Sequence, residues 1–505
     1  MPSDFLRGAV VLHSFVSEPA LAVVNIHAVD AGHSRPANKR VFCTGYGPPL
    51  EVDDAAELHP SVVRWGGNTA SRFNFKAGNL WNAGSDWHYS NVSRGKGDLW
   101  LQWILKHRDA GREVIFTVPI FGWLAKDSVT RGNPRVPDAS RTSIPLTDDD
   151  FRFLIAKIRE TLLSQERIYP LDNEPFQWHA IHGDAVAKKI EPKEFAARWL
   201  HYAKLVREVD VDGVLSGPGL WGWADLPNLD PFLEDVLGKT DAKGKPFLNI
   251  VSGGIYPQNT KLLQDLSDIT GRKVSQQNDQ KGIAELRVST VANWDDENYV
   301  DPSWIAKPVA YVTTLEKRIL YWSEKKKIAQ KDRPLVGIAE YNWGGAATEA
   351  GAASQALLLM KGLKLPIHHM CTFTWPPPAS PSGKVFRALH DFVLEEKGGV
   401  AKYAVPEGQD SRMNWLWLSS RNNERVLFFV ADKNARVLLP NGQSAGTQSQ
   451  QGDVASARSE NTAVGDIAVE KFDVKNGLWR KVDLEGPNSF RAKQYGVYKV
   501  AGWGK

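Results

Sequence analysis

Cysteine, net charge and long apolar runs are all scarce in this sequence, and each shortage excludes a class of protein. Two cysteines in 505 residues exclude a disulfide-rich scaffold and a cysteine-based metal site. Lys plus Arg is 62 and Asp plus Glu is 58, and the net charge of +4 is too small to indicate nucleic acid or an anionic membrane as a partner. No apolar run approaches about 18 residues, so a transmembrane helix is not expected.

The two cysteines, Cys43 and Cys371, both fall in apolar segments that are typical of strands. Free buried thiols are the favoured interpretation, because an unpaired cysteine packs as a small apolar residue. A single disulfide bond stays open as an alternative if the two strands are neighbours in the fold.

Tryptophan is the residue type that the chain has in excess, with 19 copies. Packing in the core accounts for some of them. Many others stand beside Gly, Asn or Pro in stretches that are typical of loops, and loops on a rigid scaffold often carry binding residues. Flat aromatic faces there suit the apolar faces of sugar rings. These loop tryptophans, which indicate a carbohydrate-binding surface, are Trp65, Trp81, Trp87, Trp123, Trp221, Trp223, Trp294, Trp343 and Trp375.

The middle of the chain, residues 40–397, alternates short apolar runs with longer helical patterns. These short runs end in glycine, asparagine or acidic residues. In one of the helical patterns, Thr147 with Asp150 predicts a capped helix start. Eight strand candidates alternating with helices predict an α/β fold, a (β/α)8 barrel of the TIM type with enlarged loops. The runs are 41–47, 62–67, 113–120, 168–174, 213–217, 247–256, 335–341 and 368–375, and the helical patterns are 98–110, 148–163, 194–209, 304–327 and 349–362.

Both ends of the chain have the alternating pattern of antiparallel strands instead. A barrel that begins near residue 40 leaves the N-terminal strands no other sheet, so they are expected to join the C-terminal ones. We therefore predict a β-sandwich domain formed from residues 1–39 and 398–505. The strand candidates are 9–15, 21–27, 414–419, 425–431, 467–474, 478–484 and 489–500.

Two of the predicted barrel strands end in a glutamate. Strand four ends in Glu174, where Pro175 stops the strand, and strand seven ends in Glu340. The carboxyl ends of the strands form the catalytic face of such barrels, and strands four and seven meet across it. Two carboxyl groups about 5–5.5 Å apart can cleave a glycosidic bond, one as nucleophile and one as acid. Either glutamate alone is more simply an ion-paired or capping residue, and only the pair indicates a site.

These motifs make the sequence resemble glycoside hydrolase family 44 in collinear order over residues 40 to 395. The matching segments include Arg64-Trp-Gly-Gly-Asn-Thr-Ala-Ser-Arg-Phe-Asn, Asn82-Ala-Gly-Ser-Asp-Trp, Leu171-Asp-Asn-Glu-Pro and Glu340-Tyr-Asn-Trp-Gly. The resemblance implies a barrel with a β-sandwich and a retaining, endo-acting enzyme. The implied substrates are β-1,4-linked glucans such as xyloglucan, soluble cellulose and mixed-linkage glucan.

The resemblance also implies roles for individual residues. Glu174 corresponds to the acid/base, Glu340 to the nucleophile, and Asn173 to an asparagine that holds the sugar 2-hydroxyl. The implied aromatic platforms are Trp87, Trp294 and Trp375.

Two further roles rest on position in the chain. Arg64 ends strand two and is a candidate partner for Glu340, with a structural ion pair elsewhere as the alternative. Tyr256 is a candidate to orient Glu340, with a core tyrosine as the alternative. Near Tyr256 the chain has Gly254 where the family has histidine, and Ala339 replaces a threonine before the nucleophile, so the preferred glucan stays open.

No cofactor is expected to be required. His179 and His182 lack a third ligand at metal-binding spacing, whereas the acidic segment 295–301 leaves a structural calcium ion possible, with a solvated loop as the commoner meaning. The expected partner is a β-glucan polysaccharide or oligosaccharide, with no nucleic acid and no membrane, and the protein is expected to be a monomer.

The location is predicted from the resemblance, which implies a secreted or extracellular protein. The N-terminal residues lack the charged and then apolar segments of a signal peptide, so either the protein is cytoplasmic or a signal has been removed. Two other functions remain open: another retaining barrel hemicellulase, such as a mannanase or xylanase, and a non-catalytic polysaccharide-binding protein.

Overall fold

The structure is a computed structural model of the chain. It describes the central region from residue 57 to 394 with six gaps, and shorter segments at both ends. The described ranges are 22–25, 35–46, 57–81, 91–93, 97–126, 131–255, 310–341, 347–373, 376–394, 402–404, 414–419, 425–430, 435–438, 468–476, 478–484, 489–492 and 497–503.

A closed barrel of eight parallel strands lies at the centre. Each strand pairs with its neighbour in sequence, and the eighth pairs with the first. All eight runs predicted from the sequence correspond to these strands, so the predicted barrel is confirmed. The strands are β1 Cys43–Tyr46, β2 Val62–Trp65, β3 Glu113–Phe116, β4 Ile168–Pro170, β5 Val214–Leu220, β6 Ile250–Ile255, β7 Leu335–Tyr341 and β8 Ile367–Phe373.

Helices follow most of the strands, as the sequence predicts. The helix that begins at Asp148 has the predicted capping box between Thr147 and Asp150. The five helical patterns predicted from the sequence are all present, whereas the helices at 229–236 and 381–394 were not predicted. The helices are α1 Leu99–Asp109, α2 Asp148–Thr161, α3 Pro192–Val209, α4 Leu229–Val236, α5 Tyr311–Lys325, α6 Glu349–Lys364 and α7 Pro381–Leu394, with short ones at Ala139–Thr142 and Trp178–Ile181.

The apolar residues of the strands divide between two faces because side chains alternate along a strand. Outward residues such as Trp65 and Phe116 pack with the helices in one large core, and their rings stack at a centroid distance of 5.1 Å. A second, smaller cluster contains Val62, Ile115 and both cysteines. The strands are therefore buried on both faces, which fixes the positions of the residues at their carboxyl ends.

Cys43 and Cys371 form a disulfide bond. The two residues are direct partners in the β8–β1 pairing that closes the barrel. The interpretation as free thiols is wrong, because closure of the barrel makes its first and last strands neighbours.

Strands from both chain ends combine in two further sheets. Arg35–Pro36 pairs with Lys402–Ala404 in a seven-stranded sheet, and Ala22–Asn25 pairs with Ala435–Leu438 in a three-stranded one. The segment 9–15 lies outside the described residues, and the sandwich packing and the domain limits stay predictions. The other strands of these sheets are Asn414–Ser419, Arg425–Val430, Ala468–Asp473, Leu478–Lys481, Ser489–Ala492 and Val497–Trp503.

Two small antiparallel pairs extend the loops that follow β2 and β3. Asn79–Trp81 pairs with Asn91–Ser93, and Trp123–Ala125 pairs with Ser143–Pro145. In the part of the chain that the structure describes, no helix is long and apolar enough to span a membrane.

Candidate active site

A single buried arginine links three of the barrel strands at their carboxyl ends. Arg64 near the end of β2 donates from Nη1 to Glu340 Oε1 on β7 at 2.7 Å. Its Nη2 donates to Asn173 Oδ1, just beyond β4, at 2.8 Å. Arg64 is 1% exposed and Glu340 5%. A planar guanidinium holds its N–H donors in a fixed fork. The two hydrogen bonds of Arg64, here named the Arg64 fork, therefore set the position of Glu340 relative to Asn173.

The guanidinium of Arg64 has room to make these two hydrogen bonds because a glycine, Gly66, lies next to it. A Cβ atom on Gly66 would lie 2.4 Å from the guanidinium carbon of Arg64, which is closer than real Cβ contacts come. Gly67, with a φ of 86°, then turns the chain into the short 3-10 helix Asn68–Arg72. The Trp-Gly-Gly-Asn segment therefore allows Arg64 to fold back over the barrel mouth.

The segment after β4 keeps its hydrogen bonds to both neighbouring strands. The backbone N–H of Asp172 donates to the carbonyl of Val118 beyond β3, and that of Glu174 to the carbonyl of Gly219 on β5. Asp172 and Glu174 have φ values of 72° and 43°. Such left-handed backbone costs roughly 1–3 kcal/mol per non-glycine residue and persists only where the surroundings impose it. The turn that carries Glu174 is thus held by contacts outside itself.

Asn173 lies between these two left-handed residues and is held by two others. Its Oδ1 accepts from Arg64, and its Nδ2 donates to Asn68 Oδ1 at 2.9 Å. These bonds fix which end of the amide is oxygen and which is nitrogen. An amide nitrogen carries two hydrogens, and within the described part of the chain the second hydrogen of Asn173 Nδ2, beyond the Asn68 bond, is available for a ligand.

The carboxylate of Asp172 is almost fully buried and accepts four hydrogen bonds. Oδ1 accepts from Ser71 Oγ at 2.5 Å, from the backbone of Asn173 at 2.8 Å and from Trp178 Nε1 at 3.2 Å. Oδ2 accepts from the backbone of Ile120 at 2.8 Å. Burial raises the pKa of the Asp172 carboxyl, and these hydrogen bonds act in the opposite direction.

A second polar group lies beside the Glu174 turn, on the side of β5 and β6. Asp225 accepts from Gln177 Nε2 at 2.8 Å and from the backbone of Trp221 at 3.0 Å. The Tyr311 side chain, at the start of α5, approaches Gly253 so closely that a Cβ there would lie 2.4 Å from its hydroxyl. Burial and then the charge of Asp225 raise the pKa of Tyr311, and the charge of Glu174 adds to this.

The structure brings four of the predicted site residues together. Arg64, Asn173, Glu174 and Glu340 are all buried at the carboxyl ends of β2, β4 and β7. The ion pair between Arg64 and Glu340, one of two alternatives left open by the sequence, is present. The other predicted site residues lie outside the described residues: Tyr256, Trp87, Trp294 and Trp375.

Two of the loop tryptophans are core residues, so the interpretation as sugar-binding surface was wrong for them. Trp65 is 1% exposed and packs among Phe73, Trp103 and Phe116. Trp81 is fully buried, with the guanidinium of Arg72 4.1 Å from its ring centroid.

Sequence reasoning missed the functions of Asp172 and Asn68 in this assembly, although both stand in segments that it singled out. The position of Asp172, an acidic residue at the end of an apolar strand, was the signal in the sequence that could have indicated its role. Its partner Ser71 is 101 positions away, so no local pattern could show the contact.

Among the described residues, no group of three or more His, Cys, Asp or Glu side chains could hold a metal ion. His182 is fully buried, and burial holds its pKa well below the ordinary value. The acidic segment 295–301 lies outside the described residues.

Comparison with known proteins finds that part of this chain matches a glycoside hydrolase family. The model of glycoside hydrolase family 44 matches residues 80–139 and 128–259, which include Glu174. Endoglucanase A of Paenibacillus lautus is 24% identical over an alignment of 308 positions, and this alignment covers 50% of this chain and 44% of that protein. The chain thus matches less than half the length of this relative.

The fold is shared with solved structures over nearly the whole chain. CelM2, a bifunctional glucanase-xylanase protein from a metagenome library, superposes with a TM-score of 0.73 at 18% identity, covering 96% of this chain and 99% of the other. A Paenibacillus polymyxa xyloglucanase from family 44, solved with xyloglucan, gives 0.69 at 16% identity, covering 95% and 99%. At these identities the likeness to the solved structures shows the fold alone. The family model and the curated relative support a relationship of this chain to glycoside hydrolase family 44.

Proposed function

We propose that this protein is a retaining, endo-acting glycoside hydrolase that cleaves β-1,4-glucan backbones, with Glu340 as nucleophile and Glu174 as acid/base. The observation that carries the proposal is the Arg64 fork, which ties Glu340 to the residue next to Glu174 across the barrel mouth. Double displacement requires two carboxyl groups about 5–5.5 Å apart, and Glu174 and Glu340 are the two glutamates at the carboxyl ends of β4 and β7.

In the first step Glu340 attacks the anomeric carbon and a glycosyl–enzyme bond forms. The bond from that carbon to the leaving oxygen breaks, and Glu174 donates its proton to that oxygen. Arg64 donates to Oε1 of Glu340 at 2.7 Å, and this charge-assisted hydrogen bond orients the carboxylate toward the sugar.

In the second step water attacks the same carbon, Glu174 takes the proton of the water, and the bond to Glu340 breaks. Both carboxyl groups return to their starting states, so no cofactor is consumed. Asn173, oriented by Arg64 and Asn68, has an amide hydrogen for the sugar 2-hydroxyl. Such a bond is worth most where charge develops on the sugar ring in the transition state.

The proposed substrates are xyloglucan and other soluble β-1,4-glucans, and this is supported by the names of an endoglucanase and a xyloglucanase among the relatives. Xylan is the second candidate, because CelM2 is described as a bifunctional glucanase-xylanase. We also propose that the protein works outside the cytosol, since disulfide bonds persist in oxidising compartments and this chain has one.

A substrate panel with two variants tests the proposal. Wild type is expected to release reducing sugar from xyloglucan and carboxymethyl cellulose faster than from mannan, with xylan as the second candidate. Glu174→Gln and Glu340→Gln are each expected to lose at least about 100-fold in kcat. Proton NMR of the first product should show the β-anomer, because two inversions retain configuration.

A contrary outcome is equally definite. Wild type that binds these polysaccharides but releases no reducing sugar is a binding protein, and the proposal fails. A first product in the α-configuration would exclude Glu340 as a covalent nucleophile.

A further inference from the structure

We propose that Asp172 is the positioning residue of the acid/base, holding the turn that presents Asn173 and Glu174 to the substrate. This inference rests on the proposed role of Glu174 and deepens it. Asp172 acts through its neighbours and does not itself contact the reacting atoms.

The first argument is the match between the carboxylate and its surroundings. The four donors come from four parts of the chain: Ser71 beyond β2, Ile120 beyond β3, the next backbone amide, and the indole of Trp178. An ionised carboxylate has about four acceptor positions and no donor. Asp172 is 2% exposed, so protein groups rather than solvent satisfy it. An asparagine or a protonated acid would direct a hydrogen toward one of these donors.

The second argument is where these contacts lie along the chain. Asp172 is two residues before Glu174, and Trp178, its indole partner, is four residues after it. The Asp172–Trp178 bond therefore joins the two ends of the segment 172–178, which contains Glu174. Both Asp172 and Glu174 have left-handed backbone, which reverts to extended or helical values once its anchors are lost. Loss of the hydrogen bonds to the Asp172 carboxylate is thus expected to move the Glu174 side chain.

The third argument is that the nucleophile has separate anchors. Glu340 lies within β7, pairs with Gly254 of β6 and bonds to Arg64 of β2. None of these contacts is made by Asp172 itself, although Arg64 also bonds to Asn173 in the turn that Asp172 holds. Loss of the Asp172 carboxylate is therefore expected to impair the proton transfers made by Glu174 and to leave the attack by Glu340 largely intact.

This selectivity gives a kinetic test that a merely structural role would not pass. Dinitrophenyl β-cello-oligosaccharides release a phenolate that needs no proton, whereas the glucan leaving group needs one. For Asp172→Asn and Asp172→Ala we expect kcat/KM on carboxymethyl cellulose or xyloglucan to fall about 100-fold or more. On the dinitrophenyl substrate kcat/KM should fall less than about tenfold.

Azide provides a second readout. It attacks the glycosyl–enzyme without needing a base, displaces Glu340 and gives the β-glycosyl azide. Added azide should therefore raise kcat of the Asp172 variants on the dinitrophenyl substrate, as it should for Glu174→Ala, and leave wild type unchanged. Ser71→Ala, which removes one of the four donors, should show the same pattern at smaller size.

The matched control is Asp210→Asn, the loss of another buried carboxylate. Asp210 accepts from Arg167 and Tyr169 near the amino ends of β4 and β5, away from the site. The Asp210→Asn substitution should lower the thermal midpoint and change activity on both substrates equally. Circular dichroism and thermal melts of each variant show which ones fold, and Ser71→Ala tests the idea if Asp172→Ala does not.

Equal losses on both substrates without azide rescue, or wild-type activity in the folded Asp172 variants, would overturn the inference. A different result marks failure of the proposed function. If Glu174→Ala itself shows neither leaving-group selectivity nor azide rescue, Glu174 is not the acid/base, and both proposals fall together.

Discussion

At the scale of single residues, the site depends on contacts between side chains far apart in sequence. Arg64 reaches Glu340 over 276 positions and Asn173 over 109. Strand-end patterns predicted Arg64, Glu174 and Glu340 in this cluster, and the family resemblance added Asn173. They could not assign the anchor role of Asp172, since its polar partners belong to other loops.

Gly66 gives the residue-scale prediction. Alanine there places a Cβ 2.4 Å from the guanidinium carbon of Arg64, so the fork must move away from Glu340 or Asn173. We expect Gly66→Ala to lower kcat about tenfold to 100-fold, in the range typical for a displaced electrostatic group. Steady-state kinetics on xyloglucan, or on whichever glucan the panel identifies, measures the change.

Gly111→Ala is the matched control for this substitution. Gly111 has a φ of 74° and open space where a Cβ would stand, and it lies in the turn between α1 and β3. Alanine there costs about 1 kcal/mol of backbone strain and should leave kcat at the wild-type value. Wild-type kcat in Gly66→Ala would show that the fork tolerates displacement and is not a catalytic requirement.

At the scale of secondary structure, the eight strands could be predicted because each is a short apolar run that alternates with longer helical patterns. The two missed helices have weaker signals. Pro227 and Pro231 flank or interrupt the short helix α4, and α7 begins at Pro381 in a stretch rich in Pro and Ser. Trp65 and Trp81 show the opposite error, because glycine or asparagine neighbours accompany these buried tryptophans as well as the half-buried Trp123 and Trp221.

The amino ends of the strands carry a charge cluster that gives the element-scale prediction. Arg40 before β1 bonds to Glu113 of β3 at 2.5 Å and to Glu166 before β4 at 2.6 Å, and His368 of β8 lies 3.6 Å from Glu166. Hydrogen bonding to His368, together with the charge of Arg40, lowers the pKa of Glu166 from 4.5 to about 2. The cluster joins four strands at the face opposite the catalytic one.

The direction in which the stability contribution of Glu166 changes with pH follows from the linkage between folding and proton binding. Because the pKa of Glu166 is lower in the folded state, its contribution to stability is present above pH 4.5 and is lost as pH falls toward about 2. We expect Glu166→Gln to lower the thermal midpoint at pH 6 by a small amount, since Glu166 is 39% exposed and solvent screens the pair. The difference from wild type should vanish near pH 2. A difference that stays constant across this range would contradict the assignment.

At the scale of the whole molecule, the architecture is set by closure of the barrel. Closure places β8 beside β1 and so makes direct partners of two cysteines 328 residues apart. It also places β4 and β7 so that Glu174 and Glu340 share one mouth. The sequence predicted the second consequence, because strand number alone implies it in an eight-stranded barrel. It left the first open, because the distance between Cys43 and Cys371 depends on the register of the closing strands.

The disulfide gives the whole-molecule prediction. A bridge between the first and last barrel strands restricts the unfolded chain over most of its length, and such restriction is worth about 2–5 kcal/mol. We expect the double variant Cys43→Ala with Cys371→Ala to keep glucan activity at moderate temperature, because the bridge lies in the apolar inner cluster with Val62 and Ile115. Its thermal midpoint should fall clearly below that of wild type.

Thiol chemistry decides whether the bridge forms in the protein as made. Wild type denatured without reductant should give no reaction with a thiol reagent, and two thiols per chain after reduction. The reductant should also lower the thermal midpoint of wild type toward that of the double variant, while leaving the variant unchanged. Two reactive thiols in unreduced wild type from an oxidising compartment would contradict both the bridge and the proposed location outside the cytosol, since the location argument depends on the bridge.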